Sequence, residues 1–383
     1  MLSPNEVSHR LTNLVKIGEG GSSVVYKANH QGTSSIVALK VIDLTDSIPD
    51  DIEALQSEIA IHKSLDHPFI VQYFGSSINR DSAWVAMEFI GKKTLLDYIN
   101  NTGGLTEAES QKFFIQTISA LQYLHMRCKL THGDLKLENI VIDPKNNARL
   151  IDFGLCSSLT SSGYAFCGSL RYSAPEVIRK EEDSTGTADI WSMGVILYAM
   201  LFSSLPFNEN TEEHIVQSIL NKPVVYPKQV SILIRDLLSR MLEKDPKKRI
   251  TIPEIICHKW VSSSRYSKLL DGSLLNRTDI RIMPQNSKHF DDKIIAQMIK
   301  RGVDPSIIKH ELLMKKDNEN TMEYRIFRYV QFATLLDSIR SAQKVDPPRS
   351  LPFSFLLYSP EKHCGIKKRQ IITSSSLLCN ITV

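Results

Sequence analysis

The chain reads as an α+β protein with two lobes, the first rich in strands and the second helical, followed by a small three-helix segment. Three patterns carry that reading. Short apolar runs alternate with turns from residue 11 to 90, apolar residues then recur at helical intervals from Thr106 onward, and three further helical periods follow a polar, aperiodic stretch ending near residue 288.

In the first lobe, stretches 13–17, 24–28, 36–42, 70–74 and 84–89 have strand composition and alternate with turns. One helix interrupts them. Asp50 and Asp51 suit its N-terminus, and Ile52, Leu55, Ile59 and Leu65 line one side. In the second lobe Thr106 and Glu109 form a capping box ahead of Phe113, Phe114, Ile118 and Leu121, and Thr251 with Glu254 opens a later helix before Trp260. Residues 263–288 gather Ser, Asn, Asp and Arg and read as a linker. Helical periods follow at 291–301, 305–314 and about 320–338, and residues 341–383 read as a flexible basic tail containing Lys367, Lys368 and Arg369.

With 383 residues the chain is longer than one typical domain. Apolar residues at 42% and charged residues at 23% are those of an ordinary globular protein, and no apolar run reaches the length of a membrane span. There are 46 Lys and Arg against 42 Asp and Glu, a net charge of +4, and the last 43 residues alone hold six Lys and Arg against two Asp and Glu. The folded part is therefore near neutral, which argues against nucleic acid as a partner. Six cysteines without metal-ligand spacing read as reduced thiols. A start without a basic flank or apolar stretch makes a cytoplasmic location the expectation, with entry to the nucleus left open.

The most informative stretch is His132-Gly133-Asp134-Leu135-Lys136-Leu137-Glu138-Asn139, followed by Asp152-Phe153-Gly154. It supplies a carboxylate to orient a hydroxyl, a lysine to meet a phosphate, and an amide and second carboxylate for a divalent cation. Upstream, Ile17-Gly18-Glu19-Gly20-Gly21-Ser22-Ser23-Val24-Val25 joins two strands, and its glycines admit phosphate oxygens close to backbone amides. Alone, that loop is equally a flexible hairpin. Lys40 ends the apolar run Val37-Ala38-Leu39, and Glu58 lies on the first helix; taken singly, both are ordinary surface charges.

Taken together and in order, the glycine loop, Lys40, Glu58, the loop from Asp134 to Asn139, Asp152-Phe153-Gly154, Ala174-Pro175-Glu176 and Asp189-Ile190-Trp191-Ser192 resemble the eukaryotic protein kinases. The likeness covers residues 11–262, with a first lobe at 11–88 and a second at 89–262. It implies the bilobal kinase fold and transfer of the γ-phosphoryl of ATP to protein hydroxyls, with Mg²⁺ as the cation. By that resemblance Asp134 is the catalytic base, Lys136 neutralises the moving phosphoryl, and Lys40 with Glu58 fixes the phosphates. Asn139 and Asp152 bind metal. Ile17, Gly18, Glu19, Gly20, Gly21, Ser22 and Ser23 cover the nucleotide, Val25, Ala38 and Val141 sandwich the adenine, Met87 is the gatekeeper, and Glu88 to Ile90 form the hinge. Glu138 and Ser169 face the protein substrate.

Lys136 two residues after the base, and Gly168-Ser169-Leu170-Arg171-Tyr172, are similar to the serine/threonine form of these enzymes. Cys167-Gly168-Ser169 and Asp245-Pro246-Lys247-Lys248-Arg249-Ile250 resemble the calcium/calmodulin-dependent group, with Arg249 expected to pair with Glu176. The segment 289–340, from Asp291 through Gly302-Val303-Asp304 to Tyr324, resembles the ubiquitin-associated-like helices of AMP-activated-kinase-related enzymes and implies intramolecular regulation.

The departures are as informative. Gly133 stands where most such kinases have an arginine that grips a phosphorylated activation loop, and Ala165 stands where this group places the activating threonine. The two agree in implying activity independent of phosphorylation at that position. Ser23 replaces a loop glycine. His62 occupies an apolar position behind the site and reads as a structural histidine. Thr94, Arg171 and Gln217 stand at positions that are acidic in kinases preferring basic substrates, so only Glu138 argues for that preference. Gly133 and Ser23 also keep open a competing class, a catalytically silent binding scaffold.

Overall fold

The computed structural model describes residues 10–20, 22–158, 169–181, 186–227, 230–270 and 290–342. Gly21, Ala165, Cys167, Gly168, most of the expected linker and the expected tail from 343 lie outside the described residues.

The first lobe is a five-stranded antiparallel sheet built from β1 (Leu11–Glu19), β2 (Ser23–His30), β3 (Ser35–Asp43), β4 (Tyr73–Ile78) and β5 (Ser82–Glu88), in the order β1-β2-β3-β5-β4. Strand β3 is central, paired without a break to β2 from Ser35 to Ile42 and to β5 from Val37 to Asp43. Its Val37, Ala38 and Leu39 are fully buried because both faces of the sheet are covered. On one face lies α1 (Pro49–Ser64), whose Leu55 and Ile59 join Ile42, Leu44, Tyr73, Ala83 and Val85.

The strand expected at 70–74 starts at Tyr73 instead. Ile70 makes only an isolated bridge to Leu150, where Val71 N–H also donates to the Leu150 carbonyl at 3.0 Å.

The second lobe is helical. Its elements are α2 (Leu95–Thr102), α3 (Glu107–Gln122), α4 (Pro175–Ile178), α5 (Thr187–Phe202), α6 (Glu212–Asn221), α7 (Ile232–Met241), α8 (Ile252–Cys257) and α9 (Lys259–Ser262). Thr106 caps α3 reciprocally with Glu109, and a π-helical turn over Tyr123–Cys128 extends it until Lys129 turns left-handed at φ +58°. Helix α5 is apolar all round and runs through the core, as its near-continuous burial requires. Arg249 Nη2 donates to Glu176 Oε2 at 2.8 Å, both groups buried, which is the ion pair expected from the sequence. Two short antiparallel pairs, β6 (Leu130–Thr131) with β9 (Ser157–Ser158) and the hairpin β7 (Ile140–Ile142) with β8 (Ala148–Leu150), frame the loops that carry Asp134 and Asp152.

Three more helices follow, α10 (Asp292–Ile299), α11 (Pro305–Leu313) and α12 (Glu319–Ala342). Asp291 and Asp304 cap the first two, and Ile294, Ile295, Met298, Ile308 and Tyr324 form a small core among the three. Helix α12 then crosses the outer face of the first-lobe sheet. Met322 and Ile326, nearly inaccessible, join Leu11, Ala28, Val37, Leu39, Phe74, Trp84 and Ala86 in one core. Burial of side chains of this size stabilises by about 1.5–3 kcal/mol each. Polar contacts fix the position: Arg325 Nη1 donates to the Phe74 carbonyl at 2.8 Å, Arg328 pairs with Asp66, and Lys63 pairs with Asp317. Among the described residues no helix is long and apolar enough to cross a membrane.

Candidate active site

The loop from His132 to Asn139 is held from below by a single buried carboxylate. Asp189, near the start of α5, accepts from His132 N–H at 2.8 Å and from Gly133 N–H at 3.0 Å, and lies 2.7 Å from His125 Nε2. Burial alone favours the neutral acid, but these hydrogen bonds outweigh it and keep the Asp189 carboxyl below its usual pKa. The carboxylate therefore fixes the backbone on which Asp134 stands.

Asp134 is the point of convergence. Its Oδ2 accepts from Lys136 Nζ at 2.5 Å and from Asn139 Nδ2 at 3.2 Å, its Oδ1 accepts from Ser169 N–H at 3.3 Å, and its carbonyl accepts from Asn139 Nδ2 at 2.8 Å. Burial works against a charged Lys136, yet Asp134, Asp152 and Glu138 more than compensate and raise its pKa. Its ammonium stays protonated.

From the first lobe, β3 delivers Lys40 and α1 delivers Glu58, with 3.7 Å between Nζ and Oε1. Burial raises the Glu58 pKa, opposed by Lys40 and reinforced by Asp152. Asp152 has a left-handed backbone at φ +66° and accepts from Gly154 N–H at 3.2 Å. A methyl group on Gly154 would meet Glu58 Oε2 at 3.3 Å and Asp152 Oδ1 at 3.5 Å, so the two carboxylates flank one glycine.

Four rings connect the lobes behind these charges. Tyr73 and His62 have centroids 5.5 Å apart, His62 and Phe153 5.2 Å, and Phe153 and His132 5.6 Å. His62 is buried, with Nε2 3.0 Å from the Val71 carbonyl, and burial lowers its pKa to about 4. It is a neutral member of a packing column, in keeping with a structural histidine.

The structure brings Lys40, Glu58, Asp134, Lys136, Asn139, Asp152 and Ser169 into one region. Val25, Ala38, Ile90 and Val141 are buried, Ala38 opposite Met87 across β3 and β5. In the glycine loop Gly20 N–H donates to the Ser23 carbonyl at 2.7 Å, and Ser23 is itself buried. Glu88 is turned away from this region. Its side chain accepts from Tyr329 Oη at 2.6 Å and Gln72 N–H at 3.2 Å and lies 3.5 Å from Arg149 Nη2. Its N–H donates to the Gln72 carbonyl at 2.8 Å, so only its main-chain carbonyl remains for a ligand between the lobes. Thr94 is occupied as the N-cap of α2, Gln217 is exposed on α6, and Arg171 reaches Asn208 and the Glu209 carbonyl.

Tyr73 and Tyr329, and the anchoring role of Asp189, are absent from the sequence reading. For Tyr329 a signal exists: Met322, Arg325, Ile326 and Tyr329 follow the i, i+3, i+4, i+7 spacing of one helix face.

The description Protein kinase domain matches residues 11–261. The chain belongs to the protein kinase family. Among curated kinases, it is 35% identical over 317 residues to a carbon catabolite-derepressing protein kinase of Secale cereale, covering 80% of this chain and 61% of that protein. It is 34% identical over 295 residues to the serine/threonine-protein kinase SIK2 of Gallus gallus, covering 75% and 36%. To the probable serine/threonine-protein kinase MARK-A of Dictyostelium discoideum it is 36% identical over 231 residues, covering 60% and 22%. This kinase chain thus spans about three fifths of the first relative's length and less of the others. Relatives of this kind agree with the AMP-activated-kinase-related branch.

Proposed function

We propose that the chain is a protein serine/threonine kinase that transfers the γ-phosphoryl of Mg-ATP to Ser and Thr hydroxyls of protein substrates. The observation that carries this reading is the convergence of Lys136, Asn139 and the Ser169 amide on the one carboxylate of Asp134. Asp134 orients the incoming hydroxyl and takes its proton as the new bond to phosphorus forms. Lys136, kept cationic by its acidic neighbours, stabilises charge on the phosphoryl oxygens. Lys40, steadied by Glu58, holds the remaining phosphates in line.

The residues fit the cofactor. Asp152 offers a carboxylate and Asn139 an amide oxygen, hard donors of the kind Mg²⁺ takes in ones and twos beside phosphate oxygens and water. Buried apolar Val25, Ala38, Ile90 and Val141 suit a flat heterocycle, with Glu88 contributing its main-chain carbonyl. When bound, Mg-ATP supplies the phosphoryl group and neutralises charge as it moves.

The same reading extends to control. With Gly133 in place of an arginine, the loop is steadied by Asp189 and position 133 offers no guanidinium to grip a phosphate, so activity is independent of phosphorylation near residue 165. Helix α12 holds Glu88 through Tyr329 and Asp66 through Arg328, two first-lobe residues that also contact Arg149 and Tyr123 of the second lobe, and so regulates closure of the lobes. The division into a kinase domain (11–262), linker (263–288), ubiquitin-associated-like regulatory segment (289–340) and basic tail (341–383) belongs to this proposal.

The test uses the full chain, phosphatase-treated or not, with Mg-ATP and a Ser/Thr peptide library read by mass spectrometry. Labelling that survives phosphatase supports the reading. Loss of labelling, restored by phosphate on Ser161, Ser162 or Tyr164, contradicts the independence. In the same assay Tyr329→Phe changes kcat/KM by about fivefold or more if α12 is coupled to the cleft, and an unchanged value removes the regulatory reading.

A further inference from the structure

We propose that Arg171 reads an anionic side chain of the protein substrate, close in sequence to the phosphorylated Ser or Thr. The inference rests on the kinase reading above and adds a specificity determinant to it.

Arg171 lies in the 3₁₀ turn Leu170–Tyr172, two residues after Ser169, whose amide touches the Asp134 carboxylate at 3.3 Å. It is therefore part of the platform on which a peptide must lie to present its hydroxyl to Asp134. Its partners are both neutral: Nη1 donates to Asn208 Oδ1 at 2.9 Å and Nη2 to the Glu209 carbonyl at 3.2 Å. Among the described residues no carboxylate pairs with it.

The carboxylate of Glu209, whose carbonyl Arg171 contacts, is engaged elsewhere. Its Oε1 accepts from Ser218 Oγ and Lys222 Nζ, each at 2.8 Å. The two neutral contacts orient the guanidinium without cancelling its charge, and a guanidinium has five N–H donors, so donors remain for a carboxylate or phosphate. A pre-oriented cation with spare donors is how arginine recognises such groups.

Neither Thr94 nor Gln217 supplies a competing carboxylate. Thr94 is occupied with its capping box, and Gln217 is neutral and accepts from Asn221 Nδ2 at 2.8 Å. Glu138, one residue before Asn139, provides the opposite sign on the Asp134 side. The two together favour substrates with a cationic and an anionic position rather than a purely basic motif. Two residues span at most about 7 Å and the arginine stem adds a comparable reach, while a substrate strand advances about 3.4 Å per residue, so the anionic position falls within about four residues of the hydroxyl.

The experiment is a positional Ser/Thr peptide library with Mg-ATP and the full chain, comparing wild type, Arg171→Gln and Arg171→Glu. Preferences are taken as ratios within each protein, so a partly folded variant still reports. Wild type should select Asp or Glu at one position within about four residues by about tenfold over Lys, the scale of one charged contact. Arg171→Gln should lose that selection, and Arg171→Glu should reverse it at the same position. A phosphoserine set at that position separates a carboxylate reader from a reader of phosphorylated substrates. Identical preferences in all three proteins overturn the assignment of Arg171 while leaving the kinase reading intact; no labelling by wild type overturns the kinase reading itself.

Discussion

A methyl group at Gly133 would stand 2.6 Å from the carbonyl oxygen of Leu155, and Gly133 itself sits at φ +80°. The position that lacks the phosphate-gripping arginine is thus also one that excludes a side chain in this backbone. Restoring the arginine should not create a phosphate clamp. Gly133→Arg is expected to lower stability by about 1–3 kcal/mol, from left-handed strain and the displaced Leu155 backbone, and to reduce turnover; chemical denaturation beside a peptide assay checks both. A variant as stable and active as the parent would show that the backbone adapts freely.

Asp189 offers a second test of how the catalytic loop is held. Asp189→Leu leaves the buried His132 N–H without an acceptor, at about 1–3 kcal/mol, and removes the partner of the part-buried Gly133 N–H and of His125 Nε2. Unfolding free energy from urea titration should fall by about 2–5 kcal/mol, with Asp189→Asn losing less. Equal stability of all three proteins would mean that the loop is anchored elsewhere.

Acid should weaken the fold through its buried imidazoles. Burial lowers the pKa of His62 from 6.5 to about 4 and that of His67 to about 3. Both fold as neutral rings, so their contribution is complete above pH 6.5, where neither state takes up the proton. It is lost as pH falls toward 4 and 3, because the unfolded chain binds protons that the native state refuses. His62→Leu forfeits the bond to Val71 at neutral pH, yet its stability should drop less between pH 7.5 and 5 than that of the parent, by about 2 kcal/mol. Urea midpoints at the two pH values decide it, and parallel slopes would exclude His62 as a source.

Removing the C-terminal helices should damage the first lobe. Without α12 the outer sheet face loses Met322 and Ile326, worth together about 3–6 kcal/mol, and exposes Phe74, Trp84 and Val37. Residues 10–270 expressed alone are expected to melt well below the full chain and to associate. A matching Tm would show that the sheet does not depend on this cover.

Local chemistry explains what was legible beforehand. Capping boxes at Thr106 and Thr251, turn residues between strands, and the Asp134 to Asn139 loop each announce themselves within a few residues, because they act over a few residues. The start of β4 is obscured by the apolar run Phe69-Ile70-Val71 after Pro68, since Ile70 and Val71 are buried by contact with β8 rather than by the sheet. The orientation of Glu88 and the docking of α12 depend on partners 241 residues apart, Tyr329 and Glu88, and such long-range pairing leaves no local pattern. The structural role of His62 is legible as a histidine at an apolar position, but its aromatic neighbours Tyr73 and Phe153, with His132 beyond Phe153, come from distant parts of the chain.

The most direct measurement is phosphoryl transfer from Mg-ATP to Ser/Thr peptides by the full chain beside Asp134→Asn, with nucleotide binding followed in parallel. The geometry around Asp134 predicts labelled peptides from the wild type, a loss of at least about 100-fold in Asp134→Asn, and ATP binding in both. Binding without transfer by the wild type, or equal transfer by both proteins, would contradict the assignment of Asp134 as the group that activates the hydroxyl.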